Sequence, residues 1–248
     1  MAALTLQTVV ISWVGKHEKA ARIAGAVLST SNAVTIVYSD PDEKLTPKFP
    51  CSALRRPNSL MWEDKFRAAL LTCKSDILLI IHADCESDDW SAVPTACRRA
   101  FTDVTRTGVW SPLIDGTIHN INKVLLNDLV GTPFALVTQS DGIVFAMSKP
   151  IMDRMRKVDL TKNPYGWGID TMVNCCCHSL GLFSVIDRDT AVHHPWGAGY
   201  ERDKAMAGMQ VFLQQLTPEE EILRLMMQTV ARNARKVEVE PAADPRES

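Results

Sequence analysis

The sequence predicts an α/β fold in which a mainly parallel sheet is flanked by helices and continues into a smaller half with strands of mixed direction. In the first half, short apolar runs alternate with segments of helical period, the order typical of a parallel sheet covered on both faces. The 248 residues are 46% hydrophobic and 23% charged, which is ordinary for a globular protein with a large core. The alternation stops near Gly116, where the smaller half begins.

Four strands and three helices are predicted in the first half. The strands are placed at short runs rich in apolar residues, at 9–14, 34–38, 77–82 and 109–113. Apolar residues recur at helical spacing between them, at 17–29, 61–73 and 90–101. The segment 77–82 is apolar up to its last residue, which predicts a strand buried on both faces.

The second half is predicted to begin with a loop at 115–122. Strand-like runs follow at 134–137, 142–147 and 181–186, with a helix at 171–180. A last helix starts at Pro218, because Thr217 and Glu220 form a capping box. The apolar face of this helix, which we expect to pack on the body of the protein, consists of Ile222, Leu225, Met226 and Val230.

We expect residues 1–235 to form one domain, since no repeat or low-complexity linker interrupts them. The change of pattern divides this domain into segments 1–115 and 116–235. Residues 236–248 carry too little apolar surface to order themselves, which predicts a flexible tail.

Charge and apolar patterning argue against two kinds of partner. The formal net charge is −2, so no global positive field draws the protein to nucleic acid, and we expect no nucleic-acid partner. The apolar runs are far shorter than the roughly 20 residues of a transmembrane helix, and the N-terminus lacks the pattern of a signal peptide. We therefore expect a cytoplasmic protein without a transmembrane segment, and this prediction leaves peripheral attachment to a membrane open.

The seven cysteines include three in a row, Cys175, Cys176 and Cys177, and are predicted to be reduced thiols. Because His178 follows directly, either a zinc site or simple helix packing would explain the run. Tetrahedral zinc sites use ligands spaced by two or more residues, which favours helix packing.

Polar residues follow the predicted strand 77–82, at the edge where open parallel sheets bind ligands. Asp84 and Glu86 alternate by two, so an extended backbone points both carboxylates to one side. Such oxygens suit Mg²⁺ or Mn²⁺, which would neutralise the diphosphate of a nucleotide. His82 could contact that nucleotide or act as a softer metal ligand. A solvated turn, with a structural role for His82, is the competing interpretation.

A second motif, Gly166-Trp167-Gly168-Ile169-Asp170, runs from a turn into the predicted helix 171–180. Trp167 can form an apolar wall for a sugar ring, and Gly168 lets the backbone approach a ligand closely. Asp170 stands at the helix N-terminus, where the macrodipole favours the ionised carboxylate that a general base needs. The competing interpretation makes Asp170 a helix cap and Trp167 a core residue.

Together these motifs resemble those of GT-A glycosyltransferases, and in particular of family-2-like inverting enzymes. His82-Ala83-Asp84 is similar to their Asp-Ala-Asp motif, with His in place of the first Asp. Gly-Trp-Gly-Ile-Asp is similar to their Gly-Trp-Gly-Gly-Glu-Asp segment, in which the Asp is the base. Ile169 stands where those enzymes have Glu, whereas Asp170 matches. The resemblance extends from about Thr8 to Tyr200, with the motifs in matching order.

The resemblance implies a GT-A fold with a nucleotide-binding half at 1–115 and an acceptor-binding half at 116–235. The exits of the first two strands would frame the nucleotide, which assigns donor contacts to Ser12, Trp13 and Asp40. Asp141 would bind a sugar hydroxyl from a small-residue turn, although turn chemistry explains an Asp-Gly pair equally well. A late histidine would complete the metal shell of Asp84; we prefer His193 to its neighbour His194.

The implied activity is transfer of a sugar from a nucleoside-diphosphate donor, with UDP the first expectation, to a hydroxyl of a carbohydrate or glycoconjugate acceptor. Inversion with Asp170 as base and a Mn²⁺ or Mg²⁺ cofactor follow from the same resemblance. A nucleotide-sugar-binding module without catalysis is the alternative. A sugar nucleotidyltransferase is disfavoured, because the turn after the first strand has only Gly15 where a glycine-rich phosphate loop is needed.

Overall fold

The computed structural model describes residues 3–195 and 201–234, so the predicted tail 236–248 lies outside the described residues. Within them, nine strands form one sheet. In chain order the strands are β1 Leu6–Ser12, β2 Ala33–Tyr38, β3 Ser52–Arg55, β4 Ile77–His82, β5 Thr107–Asp115, β6 Leu125–Asp128, β7 Phe134–Val137, β8 Val144–Ser148 and β9 Phe183–His193. Their order across the sheet is β3-β2-β1-β4-β8-β5-β9-β7-β6.

Eight α-helices and one 3₁₀ turn cover this sheet within the same described ranges. The helices are α1 His17–Val27, α2 Trp62–Thr72, α3 Ala92–Asp103, α4 Ile121–Val124, α5 Lys149–Met155, α6 Ile169–Ser179, α7 Arg202–Leu213 and α8 Pro218–Ala234. The 3₁₀ turn Leu160–Lys162 lies between α5 and α6.

The first four strands are parallel, as the sequence predicts, and β1 lies at their turning point. It pairs with β2 on one side and with β4 on the other, with Ile11 opposite His82. The chain therefore leaves β1 towards one edge of the sheet and later returns to its other side. The carboxyl ends of β1 and β4 consequently lie side by side, the position at which open α/β sheets bind ligands.

Strands from the second half mix directions, which confirms the prediction. The strand β8 is antiparallel to both β4 and β5, β9 is parallel to β5, and β7 is antiparallel to β9. Because β8 lies between β4 and β5, the segments 1–115 and 116–235 interleave in a single sheet.

Alternating side chains of the central strands bury themselves on opposite faces of the sheet. Leu79 and Ile81 pack with α1 and α3, whereas Leu78 and Ile80 pack with α2, α5 and α6. Cys176 and Cys177 belong to the second of these layers and are fully buried. His178 hydrogen-bonds the Thr138 carbonyl, so the cysteine run packs the helix as predicted.

The prediction of which face of α8 packs against the protein is wrong. Ile222, Leu225, Met226 and Val230 are 40–58% exposed. The helix packs on α6 and α4 instead, with the side chains of Glu220 and Met227 buried. The Arg154 guanidinium compensates the buried charge of Glu220 by donating hydrogen bonds to both of its carboxylate oxygens, at 2.9 and 2.7 Å. The buried ion pair, which apolar periodicity does not reveal, decides the orientation.

Strand β1 begins and ends earlier than predicted, at Leu6 and Ser12. Lys16 closes the following turn by donating its backbone N–H to Trp13 at 2.9 Å, and Gly15 has a φ of +78°. Strand β9 is longer than predicted, because it remains paired with β5 across an irregularity after Pro112. Five short or weakly patterned elements were not predicted: β3, α4, β6, α5 and α7.

The Trp62 side chain connects the two halves of the chain. Its ring lies edge-on to His82 at the end of β4, with centroids 4.3 Å apart, and contacts Phe66 at 5.5 Å. It also fills the space beside Gly166, where an added Cβ would lie 2.7 Å from Trp62 Nε1 and closer still to Cδ1. The Gly166 φ of +72° lies in the left-handed region that favours glycine.

We expect Gly166→Ala to destabilise the protein by about 2–5 kcal/mol, since a Cβ adds both backbone strain and overlap with the half-buried Trp62 ring. Urea unfolding monitored by circular dichroism measures this change. Gly25→Ala is the matched control. Gly25 lies within helix α1, and its added Cβ would be 3.9 Å from Pro50, an ordinary van der Waals distance. That control should leave stability equal or raise it by up to about 1 kcal/mol. Equal stability of the two variants would contradict our conclusion that the Trp62 ring fills the space beside Gly166.

Glu63, in the first turn of α2, is a buried carboxyl group. It is 6% exposed, and its Oε2 has no hydrogen-bond partner. Burial, reinforced by the neighbouring Asp64, raises the pKa of Glu63 to about 7. The folded protein therefore holds a proton that the unfolded chain releases above about pH 4.5, so stability falls as pH rises from about 4.5 to 7.

We expect Glu63→Gln to remove this loss, making the variant up to about 3 kcal/mol more stable than the wild type at pH 8 but not at pH 4. Urea unfolding at the two pH values measures the difference. The exposed Glu219→Gln is the control and should follow the wild type at both. A Glu63→Gln variant with wild-type pH dependence would disprove the buried titration.

Candidate active site

The candidate site lies at the carboxyl ends of β1 and β4, where three aromatic rings meet. Trp13, just past β1, lies edge-on to His82 at the end of β4, with centroids 6.0 Å apart, and Trp62 approaches His82 from another side. Burial lowers the pKa of His82 to about 4, so the imidazole is neutral. Its Nε2 is buried without a hydrogen-bond partner. A buried nitrogen of this kind is available to a ligand.

Asp84 follows β4 and faces the end of β9. Its Oδ2 lies 3.5 Å from His194 Nε2, and the two side chains are 18% and 15% exposed. Burial opposes ionisation of Asp84, but the hydrogen bond from His194 and the nearby imidazoles outweigh it and lower the pKa. Asp84 is therefore a carboxylate at neutral pH. The other ring nitrogen of His194, Nδ1, is buried and unpartnered.

The sequence analysis prefers His193 to His194 as the partner of Asp84, and the structure shows the reverse. His193 points to Asp115, with Nδ1 2.8 Å from Oδ2, and its side chain is 60% exposed. Its backbone pairs with that of Glu86 through two hydrogen bonds of 2.8 and 2.9 Å. His194, the next residue on the chain, has the opposite orientation and reaches Asp84. A strand end alternates the two faces, so only one of the pair can contact Asp84.

Glu86 does not join Asp84 either. Its side chain is 61% exposed and forms an ion pair with Lys19 of α1, whose ammonium group also donates to the Asp84 carbonyl. In the part of the chain that the structure describes, no group of three or more His, Cys, Asp and Glu side chains is placed to hold a metal ion. Of the four predicted metal ligands, Asp84 and His194 are the two whose side chains face each other.

Asp170 lies in the first turn of α6, as predicted, and its side chain is 19% exposed. Its Oδ2 lies 3.1 Å from His119 Nε2 and 3.4 Å from Gln139 Nε2. Burial raises the pKa of Asp170, but the hydrogen bond and charge of His119, with the Thr171 backbone N–H, lower it by more. Asp170 is therefore held as a carboxylate by partners that the sequence does not indicate.

His119 and Gln139 are functional candidates that sequence reasoning missed. His119 lies in the loop after β5, and Gln139 follows β7; they approach each other to 3.1 Å, and Gln139 Nε2 donates to Thr171 Oγ1 at 2.9 Å. Thr117 orders the loop, because its hydroxyl accepts from the His119 backbone N–H at 3.0 Å. The polar residues of the predicted loop 115–122 were the available signal.

Asp141 lies next to Asp170, in the turn before β8. It accepts a hydrogen bond from the Thr117 hydroxyl. Burial and the negative charge of Asp170 raise the pKa of Asp141, while His119 and His194 act in the opposite direction. Both Asp170 and His194 are thus close enough to Asp141 to affect its ionisation. Asp141 thus lies between the His194 that contacts Asp84 and the start of α6, near enough to both for their charges to act on it.

Gly142 lets the turn before β8 approach Asp170 closely. A Cβ on Gly142 would lie 3.2 Å from the Asp170 Cβ, which is tighter than ordinary packing. Gly168 has a different environment from the one predicted. It is buried against α7, where an added Cβ would lie 2.8 Å from Met209, so the predicted acceptor contact does not fit its position. Trp167 is half-buried, and its carbonyl accepts from Asn163 at 2.7 Å.

Ser12 and Asp40 are placed at the strand exits as predicted, but their side chains bond within the protein. His17 bridges them, with Nδ1 2.8 Å from Ser12 Oγ and Nε2 2.9 Å from Asp40 Oδ2. The second Asp40 oxygen accepts from the Asp42 backbone at 2.8 Å, and this bond, with His17, lowers the pKa of Asp40. Direct nucleotide contacts from these two side chains would have to replace existing bonds.

Comparison with solved protein structures identifies the fold of this chain. No protein-family model matches the chain, and no curated protein matches its sequence. Solved structures do match. GalNAc-T7 with UDP, GalNAc and Mn²⁺ superposes with a TM-score of 0.59 at 12% identity, covering 79% of this chain and 44% of that one. The chain has the GT-A fold.

Two further GT-A structures cover most of this chain. Glucosyl-3-phosphoglycerate synthase from Mycobacterium tuberculosis, with Mn²⁺ and UDP-glucose, matches at a TM-score of 0.56 and 10% identity, over 88% of this chain and 80% of that one. A mannosyltransferase from Pyrobaculum calidifontis, with GDP-mannose and Mn²⁺, matches at 0.54 and 12% identity, over 99% and 78%. Two nucleotidyltransferases also match, at TM-scores of 0.49 and 0.45. At these identities the likeness establishes the fold.

No helix among the described residues is both long enough and apolar enough to cross a membrane.

Proposed function

We propose that the protein is a glycosyltransferase that moves a sugar from a nucleoside-diphosphate donor, UDP by preference, to a hydroxyl of a carbohydrate or glycoconjugate acceptor. One observation carries this proposal. In a GT-A fold, the Asp84–His194 pair and the Asp141–Asp170 pair, remote in sequence, converge at the carboxyl edge of the sheet. That edge is where an open α/β sheet binds its nucleotide.

The Asp84–His194 pair fits a divalent cation. The two ligand atoms are 3.5 Å apart, a separation compatible with one ion at about 2.0–2.2 Å from each. One carboxylate oxygen with one imidazole nitrogen suits Mn²⁺ better than Mg²⁺, which prefers oxygen ligands. Such a cation, bound, would balance the negative charge of the departing diphosphate. His193 and Glu86, also predicted as ligands, have other partners.

The remaining roles fall to residues on the same edge. Trp13 and His82, at the ends of β1 and β4, would bind the nucleotide, with the free His82 Nε2 donating to or accepting from it. Asp141 would hold a donor-sugar hydroxyl, and Trp167 would face the acceptor. We propose Asp170 as the residue on which deprotonation of the acceptor hydroxyl depends, with inversion at the anomeric carbon.

All seven cysteines are free thiols, six of them buried, which is compatible with a reducing compartment, and we propose that the protein acts in the cytoplasm. A module that binds nucleotide sugars without transfer is the competing function. Release of UDP from UDP-glucose, or of GDP from GDP-mannose, in the absence of acceptor separates the two, because a catalytic site passes some sugar to water. A protein that binds these donors but releases no nucleotide above background would be a binding module.

We expect Asp170→Asn to lower turnover about 10²- to 10⁴-fold while leaving nucleotide affinity unchanged, since a positioned base contributes about that much to the rate. Donor hydrolysis gives turnover, and UDP titration gives affinity. The exposed Asp103→Asn is the control and should retain both. Turnover close to wild type in Asp170→Asn would remove Asp170 from the mechanism.

We expect Asp84→Ala and His194→Ala to abolish the part of nucleotide binding that requires Mn²⁺. In the wild type, UDP at 100-fold its dissociation constant should stabilise the fold by about 2.7 kcal/mol, and this gain should shrink with chelator. Thermal unfolding with UDP, with and without Mn²⁺, measures it. His193→Ala is the matched control from the neighbouring position and should behave like the wild type. A loss in His193→Ala with none in His194→Ala would reverse our assignment.

A further inference from the structure

His119 is placed like a base that a carboxylate orients. Its Nε2 faces Asp170 Oδ2 at 3.1 Å, whereas no hydrogen bond to its Nδ1 exists among the described residues. The ring is 17% exposed, as accessible as the 19% of Asp170. One nitrogen is therefore engaged by an acidic group, and the other is left for a substrate or solvent.

The chemistry of Asp170 fixes which nitrogen of His119 carries the proton. An ionised carboxylate only accepts hydrogen bonds, so the proton of a neutral His119 lies on Nε2 and leaves the Nδ1 lone pair free. Rotation of the Gln139 amide by half a turn presents its carbonyl oxygen to the same proton, and this orientation replaces the Gln139 contacts with Asp170 and Thr171 described above. The Thr171 hydroxyl can then donate to that oxygen.

Asp170 alone is poorly suited to receive a proton from a sugar hydroxyl. Its contacts with His119 and Thr171 lower its pKa, although burial opposes this. A general base works best when its pKa lies near the pH at which it operates. Burial lowers the pKa of His119, but the hydrogen bond and charge of Asp170, with the charge of Asp141, raise it above 6.5 overall. Of the pair, the imidazole is therefore the stronger base.

We propose that His119 is a catalytic residue of this site, whose Nδ1 receives the proton of the acceptor hydroxyl while Asp170 positions the ring and stabilises the imidazolium. This rests on the proposed function and deepens it. The acceptor O–H bond breaks as its oxygen bonds the anomeric carbon, and the proton goes to Nδ1. The bond from the anomeric carbon to the diphosphate breaks, and its electron pair leaves with the diphosphate. His119 afterwards returns the proton to water.

The acidic groups that face His119 come from two elements besides its own loop. Asp170 belongs to α6 and Asp141 to the turn before β8, and both raise the pKa of His119. Thr117 and Gln139, the other polar contacts, carry no charge. The two carboxylates thus supply the negative charge that favours the protonated ring.

The pH profile of wild-type turnover tests this assignment. We expect kcat/KM for hydrolysis of UDP-glucose or GDP-mannose to rise about tenfold per pH unit up to the pKa of His119, above 6.5, and to level off beyond it, because only the neutral ring accepts a proton. The same pKa should appear in an NMR titration of the His119 imidazole, and should fall in Asp170→Asn. His119→Gln should lose about 10²-fold in kcat with donor affinity unchanged.

Glu63→Gln is the control, because Glu63 also has a pKa near the measured range; its profile should keep the wild-type midpoint. A wild-type profile that is flat from pH 5 to 9, or full turnover in His119→Gln, would overturn the assignment and leave Asp170 as the sole base. Donor binding by thermal shift keeps the two proposals apart. Intact binding and hydrolysis with a flat profile refute His119 alone, whereas absence of both refutes the proposed function together with it.

Discussion

The contact of Trp62 with His82 and with the backbone at Gly166 is the constraint on which the site geometry depends. The ring lies between the end of β4, which carries Asp84, and the turn that leads into α6, which carries Asp170. A large ring fills this space only because Gly166 has no side chain and tolerates a positive φ. The separation of the two acidic groups is thereby set by close packing, which resists small displacements.

Two of the three carboxylates of the site are each held ionised by a histidine from a different part of the chain. His194 accompanies Asp84, and His119 accompanies Asp170. Three negative charges gathered in a half-buried cleft would otherwise raise one another's pKa values, as the pKa of Asp141 shows. The imidazoles offset that repulsion without the permanent charge of a lysine or arginine.

In the proposed function, the site residues divide into those that face the ligand and those that order the protein around it. Ser12 and Asp40 stand at the strand exits, but His17 and the Asp42 backbone engage them. Their network holds the loop between β1 and α1 against the end of β2. The free nitrogens of His82 and His194, by contrast, have no protein partner among the described residues. Buried polar atoms without partners are uncommon, and in the proposed function these two histidines face the ligand.

The sequence by itself determined the parallel order of the first half, the acidic edge after β4 and the position of Asp170 at the start of α6. Hydrophobic periodicity reports the burial of a residue relative to its near neighbours, and motif order reports strand exits. Only the tertiary structure decided that His194 and not His193 meets Asp84, that His119 reaches Asp170 across 51 positions, and that α8 packs through Glu220. These depend on side-chain directions at strand ends and on ion pairs between distant segments, and neither leaves a periodic signal in the chain.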